Sequence, residues 1–364
     1  MNIVTVSLLM TGRAVADLML AGVTIPTAVE PWSSLDLQLK AMGDESKSQD
    51  WNATKNAFEM IVAGTGESIR SLQDLPQLGQ RFSAAAAAYW GTVNFGDTFT
   101  LAAIQGSGNF STWDASSRRE LLTKASAYMV VRQYVVERLY DGVRQCLSGS
   151  ASAAEFEWQK GWALYAGSLE GADGSGGGKS MYALGDKRCP QFRTCVGGAT
   201  STHPARNNMA VTAAWNAGVA ALSTGDCFGA LAQAEVIVVQ STIPLLQGLL
   251  REAWEVDPYG GHALADGRVE VAEGWAFTAA VLPQLAMCNG SAAQVVYDNM
   301  FLNADPVVKD GFGFVKRTVE SLYPCLGITC DEVGASSPPP IASRPTKDTD
   351  APRANHSTGR SAPP

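Results

Sequence analysis

Between residues 118 and 146, apolar side chains fall at Leu121, Leu122, Ala125, Tyr128, Met129, Val135, Val136, Leu139 and Val143. This three-to-four-residue rhythm predicts one long helix with a single face in a core. The stretch from Ala230 to Val256 has the same rhythm, and Pro244 inside it is expected to kink it. Ala-rich stretches at 80–93 and 209–222 read as further helices. Strand-like alternation is rare, so the pattern predicts an all-α fold with Gly-rich connecting loops.

The helical pattern occurs twice. Residues 157–165 read EWQKGWALY and residues 270–278 read EVAEGWAFT, so Glu157 matches Glu270 and Gly161-Trp162-Ala163 matches Gly274-Trp275-Ala276. A long amphipathic stretch precedes each copy, and a tyrosine follows each, Tyr182 in the first and Tyr297 in the second. This organisation predicts two tandem related helical bundles packed together, over 29–200 and 201–334. Residues 1–28 form an N-terminal segment without an assigned role. From 335 to 364 the chain carries 7 of its 17 prolines and almost no apolar residue, a composition expected to be disordered. Equivalent residues of two packed bundles would surround a pseudo-two-fold axis, where a shared ligand could sit. Duplication for core packing alone would also select Gly-Trp-Ala.

Composition narrows the chemistry. Acidic residues outnumber basic ones 35 to 27 over 364 residues, for a net charge of −8. That argues against nucleic acid as the main partner, because phosphate backbones require a concentrated basic surface. No uninterrupted apolar run reaches the ~18–20 residues of a membrane helix, so the chain is not expected to span a bilayer. There are 3 histidines, His203, His262 and His356, too few for a His-rich metal site. Hydrolase, P-loop and dinucleotide motifs are absent. The 7 cysteines include the close pairs Cys189/Cys195 and Cys325/Cys330, read as small disulfide loops, with reduced buried thiols as the alternative. Disulfides require an oxidising compartment. Sequons at Asn52, Asn109, Asn289 and Asn355 agree with a secreted glycoprotein. The apolar stretch 3–10 is short and lacks a positive flank, a poor signal peptide.

What remains is an inventory of hard oxygen donors. Glu157 and Gly161 lie one turn apart on a helix face, as do Glu270 and Gly274, leaving room beside each carboxylate. Glu273 lies beside that face, while its counterpart is Lys160. Tyr165, Tyr182 and Tyr297 add phenols. His262, in a turn-rich loop near Glu255, Asp257 and Tyr259, is the better histidine candidate. Such a set suits Ca²⁺, Mg²⁺ or ferric iron rather than zinc or copper. The Gly-rich stretch 168–188 lacks P-loop and EF-hand spacing and reads as a flexible loop, with Glu170, Asp173 and Asp186 as oxygen donors at its base.

The blocks GWALYAGSLEG, YALGDKR, VAEGWAFTAAVLPQLA, VVYDNMFLN and SLYPCLGITCDEVG carry a resemblance. They are similar to the algal iron-assimilation proteins, the low-iron- or high-CO₂-inducible periplasmic proteins of green algae, and to their phytotransferrin-type relatives. The similarity covers about 155–334 and departs at Lys160. It implies an extracytoplasmic protein, at the cell surface or in the periplasmic space, that binds Fe³⁺ and assists its uptake without catalysis. A membrane-bound iron transporter or reductase is the implied partner. On the residues themselves, the expected metal ligands are Glu157, Glu270, Glu273, Tyr165, Tyr182, Tyr297 and His262, with carbonate as a candidate co-bound anion. The alternatives are a metal-dependent hydrolase related to helical iron-regulated peptidases and a structural surface glycoprotein. The hydrolase needs His-x-x-Glu on one helix face, but His203 is followed at that spacing by Arg206 and His262 by Ala265.

Overall fold

The computed structural model describes residues 17–73, 81–92, 94–198, 201, 203–260 and 267–335. The apolar stretch at 3–10, His262 and the Pro-rich tail beyond Ala335 lie outside the described residues.

The chain is all-α, as its periodicity predicts, with one addition. Strands β1 (Asp17–Leu20) and β2 (Val23–Pro26) pair antiparallel as a small hairpin. Its turn, at Ala21 and Gly22, has positive φ at both positions, the geometry that matches strand twist. The helices that follow are α1 (Glu30–Ser33), α2 (Leu35–Lys47), α3 (Trp51–Glu59), α4 (Arg81–Trp90), α5 (Phe95–Gln105) and α6 (Ala115–Lys124). Next come α7 (Arg132–Leu147), α8 (Ala151–Ala166), α9 (Met181–Phe192), α10 (Arg206–Ser223), α11 (Cys227–Glu255) and α12 (Arg268–Cys288). The last are α13 (Gly290–Met300), α14 (Phe312–Glu320), α15 (Tyr323–Leu326) and α16 (Cys330–Val333). Several starts are local in origin: Asp50, Asp114, Asp226 and Asn289 each accept a first-turn N–H of the helix they precede.

The long helix expected over 118–146 is interrupted. Ala125–Val131 is a π-helical segment between α6 and α7, where Arg132 N–H bonds back to Ala127 O. The widened turn lets α6 face α2, α5 and α12 while α7 faces α8 and α11. Helix α11 continues past Pro244 to Glu255. By length and composition α11 and α12 could each cross a membrane, which the expectation based on uninterrupted runs missed. More than half of each apolar window is buried against protein here, as in the core helices of a bundle.

One contiguous core runs through both repeats. Helices α7 and α11 pack on each other, with α8 against α7 and α12 against α11. The repeated glycines serve equivalent contacts. A Cβ at Gly161 would lie 3.5 Å from Arg138 Cβ on α7, and one at Gly274 would lie 3.0 Å from Glu252 Cβ on α11. Trp162 and Trp275 are both buried beside them. In the first repeat Trp158 and Trp162 close on Trp215 of α10, with ring centroids 5.7 and 5.1 Å away.

The disulfides correct half of the pairing expected from spacing. Cys189–Cys195 forms, but Cys325 joins Cys288, Cys146 joins Cys227, and Cys330 is free and exposed. Thr329 caps α16 through a reciprocal bond with Glu332, placing Cys330 on that helix, while Cys325 on α15 has its Cα 5.8 Å from that of Cys288 at the end of α12. Asn52, Asn109 and Asn289 are exposed; Asn355 lies outside the described residues.

Gly218 tests the packing of the first repeat, because a Cβ there would meet the Trp158 ring at 2.0 Å. Gly218→Ala is expected to lower the unfolding free energy by about 1–3 kcal/mol, read from the urea midpoint. Gly290→Ala opens onto free space and is expected to stay within about 0.5 kcal/mol of the parent. Equal effects would show that Trp158 does not pack there.

Candidate functional site

The expected ligands fall in separate places. Glu157 on α8 is ion-paired with Arg138 at 2.6 Å. Glu270 is buried and partnered in the first turn of α12. Glu273 stands between Lys124 at 3.2 Å and Arg188 at 4.0 Å. Tyr297 packs among Trp275 and Phe301, 5.4 and 5.2 Å between ring centroids. Helices α8 and α12 each have α7 or α11 as principal neighbour rather than one another.

Tyr165 and Tyr182 do come together. Their ring centroids are 6.4 Å apart, Tyr165 near the end of α8 and Tyr182 in the first turn of α9. Tyr165 donates to Asn208 Oδ1 at 3.2 Å, and Asn208 in turn donates to Asp186 at 2.9 Å. Burial raises both phenol pKa values, Tyr182 to about 12, and the nearby Asp186 charge adds to each. Asp186 is itself pushed up by burial, although it accepts from Ala205 N–H and Asn208. Among the described residues no three of His, Cys, Asp and Glu group as metal ligands, so an oxygen site here would have to draw on these phenols.

Beside this cluster opens a cleft of about 520 Å³, bounded by α2, by α6 with the π segment, by residues 176–180 and by α9. The Gly-rich loop, read from sequence as flexible, is tied down on two sides. Asp36 of α2 accepts from Leu169 N–H at 2.7 Å and Ser168 Oγ at 2.8 Å. The hairpin turn donates from Ala21 and Gly22 to Gly171 O and Ala172 O, both at 2.8 Å. The loop therefore delivers a fixed backbone to the cleft, followed directly by α9.

The cleft is ringed by cations. Lys40 pairs with Asp44, while Lys124 pairs with Glu120 at 2.5 Å as well as with Glu273. Lys124 is buried, which disfavours its charge, but Glu273 and Glu120 outweigh burial and hold its pKa up. Lys47, Lys179 and Lys187 make no ion pair among the described residues. Behind Lys124, Tyr128 of the π segment stacks on Phe277, 5.5 Å between centroids, and Arg188 lies over the same ring at 4.8 Å. Arg188 is fully buried and meets Glu252 at 3.1 Å. Burial raises Glu252 to about 8, with Glu273 and Glu255 adding to the shift against Arg188. Sequence reading missed Lys124, Tyr128, Arg188 and Glu252; the signal available was charged residues inside otherwise apolar helical stripes.

Glu170 is the least satisfied group in the cleft. It is 2% exposed, and its Oε1 has no hydrogen-bond partner among the described residues. Burial raises its carboxyl to about 8, the Asp186 and Asp36 charges contribute, and the facing Gly178 N–H and Lys179 oppose.

Comparison with known proteins produced no match among family models, curated proteins or solved structures.

The raised Glu170 carboxyl predicts a pH dependence. Its pKa rises from an ordinary 4.5 to about 8 on folding, so over that interval the folded chain holds a proton that the unfolded chain has released. Its contribution is most favourable below pH ~4.5 and falls as pH climbs through ~8. Glu170→Gln removes this titration. The melting temperature of the variant relative to the parent should therefore be higher at pH 8 than at pH 5. A constant difference would show that Glu170 is ionised normally in the fold.

Proposed function

We propose that this chain is an extracytoplasmic ferric-iron-binding protein that assists iron uptake. The observation that carries the reading is the pairing of Tyr165 and Tyr182 beside Asp186. Two phenols and a carboxylate are hard donors of the kind that favour a ferric ion, whose charge drives off the phenolic protons. The ligand set moves accordingly from Glu157, Glu273 and Tyr297, which are occupied by ion pairs or aromatic packing, to the junction of α8 and α9. Three disulfides and exposed sequon asparagines at 52, 109 and 289 support an oxidising, glycosylating compartment. A membrane-bound transporter or reductase would receive the iron.

Titration of the metal-free protein with Fe³⁺ tests the reading. Binding is expected to produce a visible phenolate-to-iron absorption band, which Tyr182→Phe removes in large part. Protons compete for the phenolates, so iron should be lost steeply between pH ~7 and ~5, with more than one proton taken up per ion. A colourless iron complex, or an unchanged spectrum in Tyr182→Phe, overturns the assignment.

A further inference from the structure

The cleft between α2, α6 and α9 has a second chemistry that does not rest on iron. Six basic and four acidic side chains line it, and Lys47, Lys179 and Lys187 make no ion pair among the described residues, with Lys124 at the wall. The loop Gly176–Gly178 brings main chain to the edge of the cleft, and the 12-residue α9 begins there. Its N-cap, Ser180, makes no side-chain cap bond, so the cap itself does not take up the first-turn N–H groups of α9. An oriented helix N-terminus with lysines beside it attracts a doubly charged oxyanion.

A separate observation points to the rest of the ligand. Glu170 lines the same cleft, almost wholly buried, with Oε1 unpartnered among the described residues. Gly178 makes room for it, since a Cβ there would fall 2.0 Å from Oε1. The phosphate dianion of a monoester offers only acceptors and by itself leaves a carboxylate unsatisfied. A hydroxyl satisfies Glu170 in either protonation state, because it donates to a carboxylate and accepts from a carboxylic acid. The cleft therefore joins an anion-attracting end to a hydroxyl-binding wall, in a volume of about 520 Å³ that suits a small metabolite.

We propose that this cleft binds a hydroxyl-bearing phosphate monoester, with its phosphate at the N-terminus of α9 beside Lys179 and a hydroxyl on Glu170. Calorimetry on the full chain, metal-free, tests this with glucose 6-phosphate, inorganic phosphate and glucose as probes. Glucose 6-phosphate is expected to bind about tenfold more tightly than inorganic phosphate, and glucose not measurably. Lys179→Ala, a change at an exposed position, should weaken both phosphate probes about tenfold. Glu170→Ala should bring glucose 6-phosphate down to the affinity of inorganic phosphate, whereas Glu170→Gln, which still offers an acceptor and a donor, should retain most of it. Failure of both phosphate probes to bind the parent overturns the proposal. So does binding indifferent to Lys179→Ala, or equal affinity for the ester and inorganic phosphate.

Discussion

Arg188 has no exposed surface, and a guanidinium in that position must be met by carboxylates inside the protein. Glu252 of α11 meets it directly, Glu273 of α12 stands next, and Lys124 of α6 closes the chain with Glu120. Four helices are thereby held in one register around Phe277, which lies under both cations. Replacing such a buried network by apolar residues can be neutral, but removing one partner leaves an uncompensated charge and costs about 3–5 kcal/mol. Lys124 and Glu120 of this network also line the cleft, so the buried charges and the cleft share two members.

The first repeat solves the equivalent problem with the opposite polarity. Where α11 and α12 present Glu252 and Glu273, α7 and α8 present Arg138 and Lys160 at the matching positions around the repeated glycine. Lys160 reaches Glu67 at 3.3 Å, and Tyr134 and Trp32 donate to the same carboxylate. The shared Gly-Trp packing is retained, while the charges around it have diverged. Glu157 is held by Arg138 within the first repeat, whereas Glu273 reaches across to Lys124 and Arg188, so the two copies are not used symmetrically.

What distinguishes the α8–α9 junction is that its polar groups are less completely committed. The phenols of Tyr165 and Tyr182 share Asp186 as a charged neighbour, and Glu170 keeps an unpartnered oxygen at the adjoining cleft. Desolvated and incompletely paired groups carry a free-energy cost that a ligand can relieve, and such groups gather at binding sites. The hairpin and Asp36 hold the intervening loop in place, so this cost is not relieved by local relaxation.

The sequence by itself determined the helical class, because 3.6-residue periodicity and Asp or Asn caps are local properties. It also determined the repeated Gly-Trp packing unit. Tertiary structure alone decided which groups meet. Cys325 bonds Cys288, 37 residues away, rather than the nearer Cys330, since helix ends and not sequence spacing set the Cα separation. The π segment that re-aims α7 leaves no mark in an apolar stripe that reads as continuous. Glu157 and Glu273 look alike along the chain, yet each finds a cation on another helix, Arg138 and Lys124. Among the described residues Glu170 makes no ion pair, although Lys179 acts on it from the loop: a carboxylate's freedom depends on what the fold brings within reach of it, which no local pattern records.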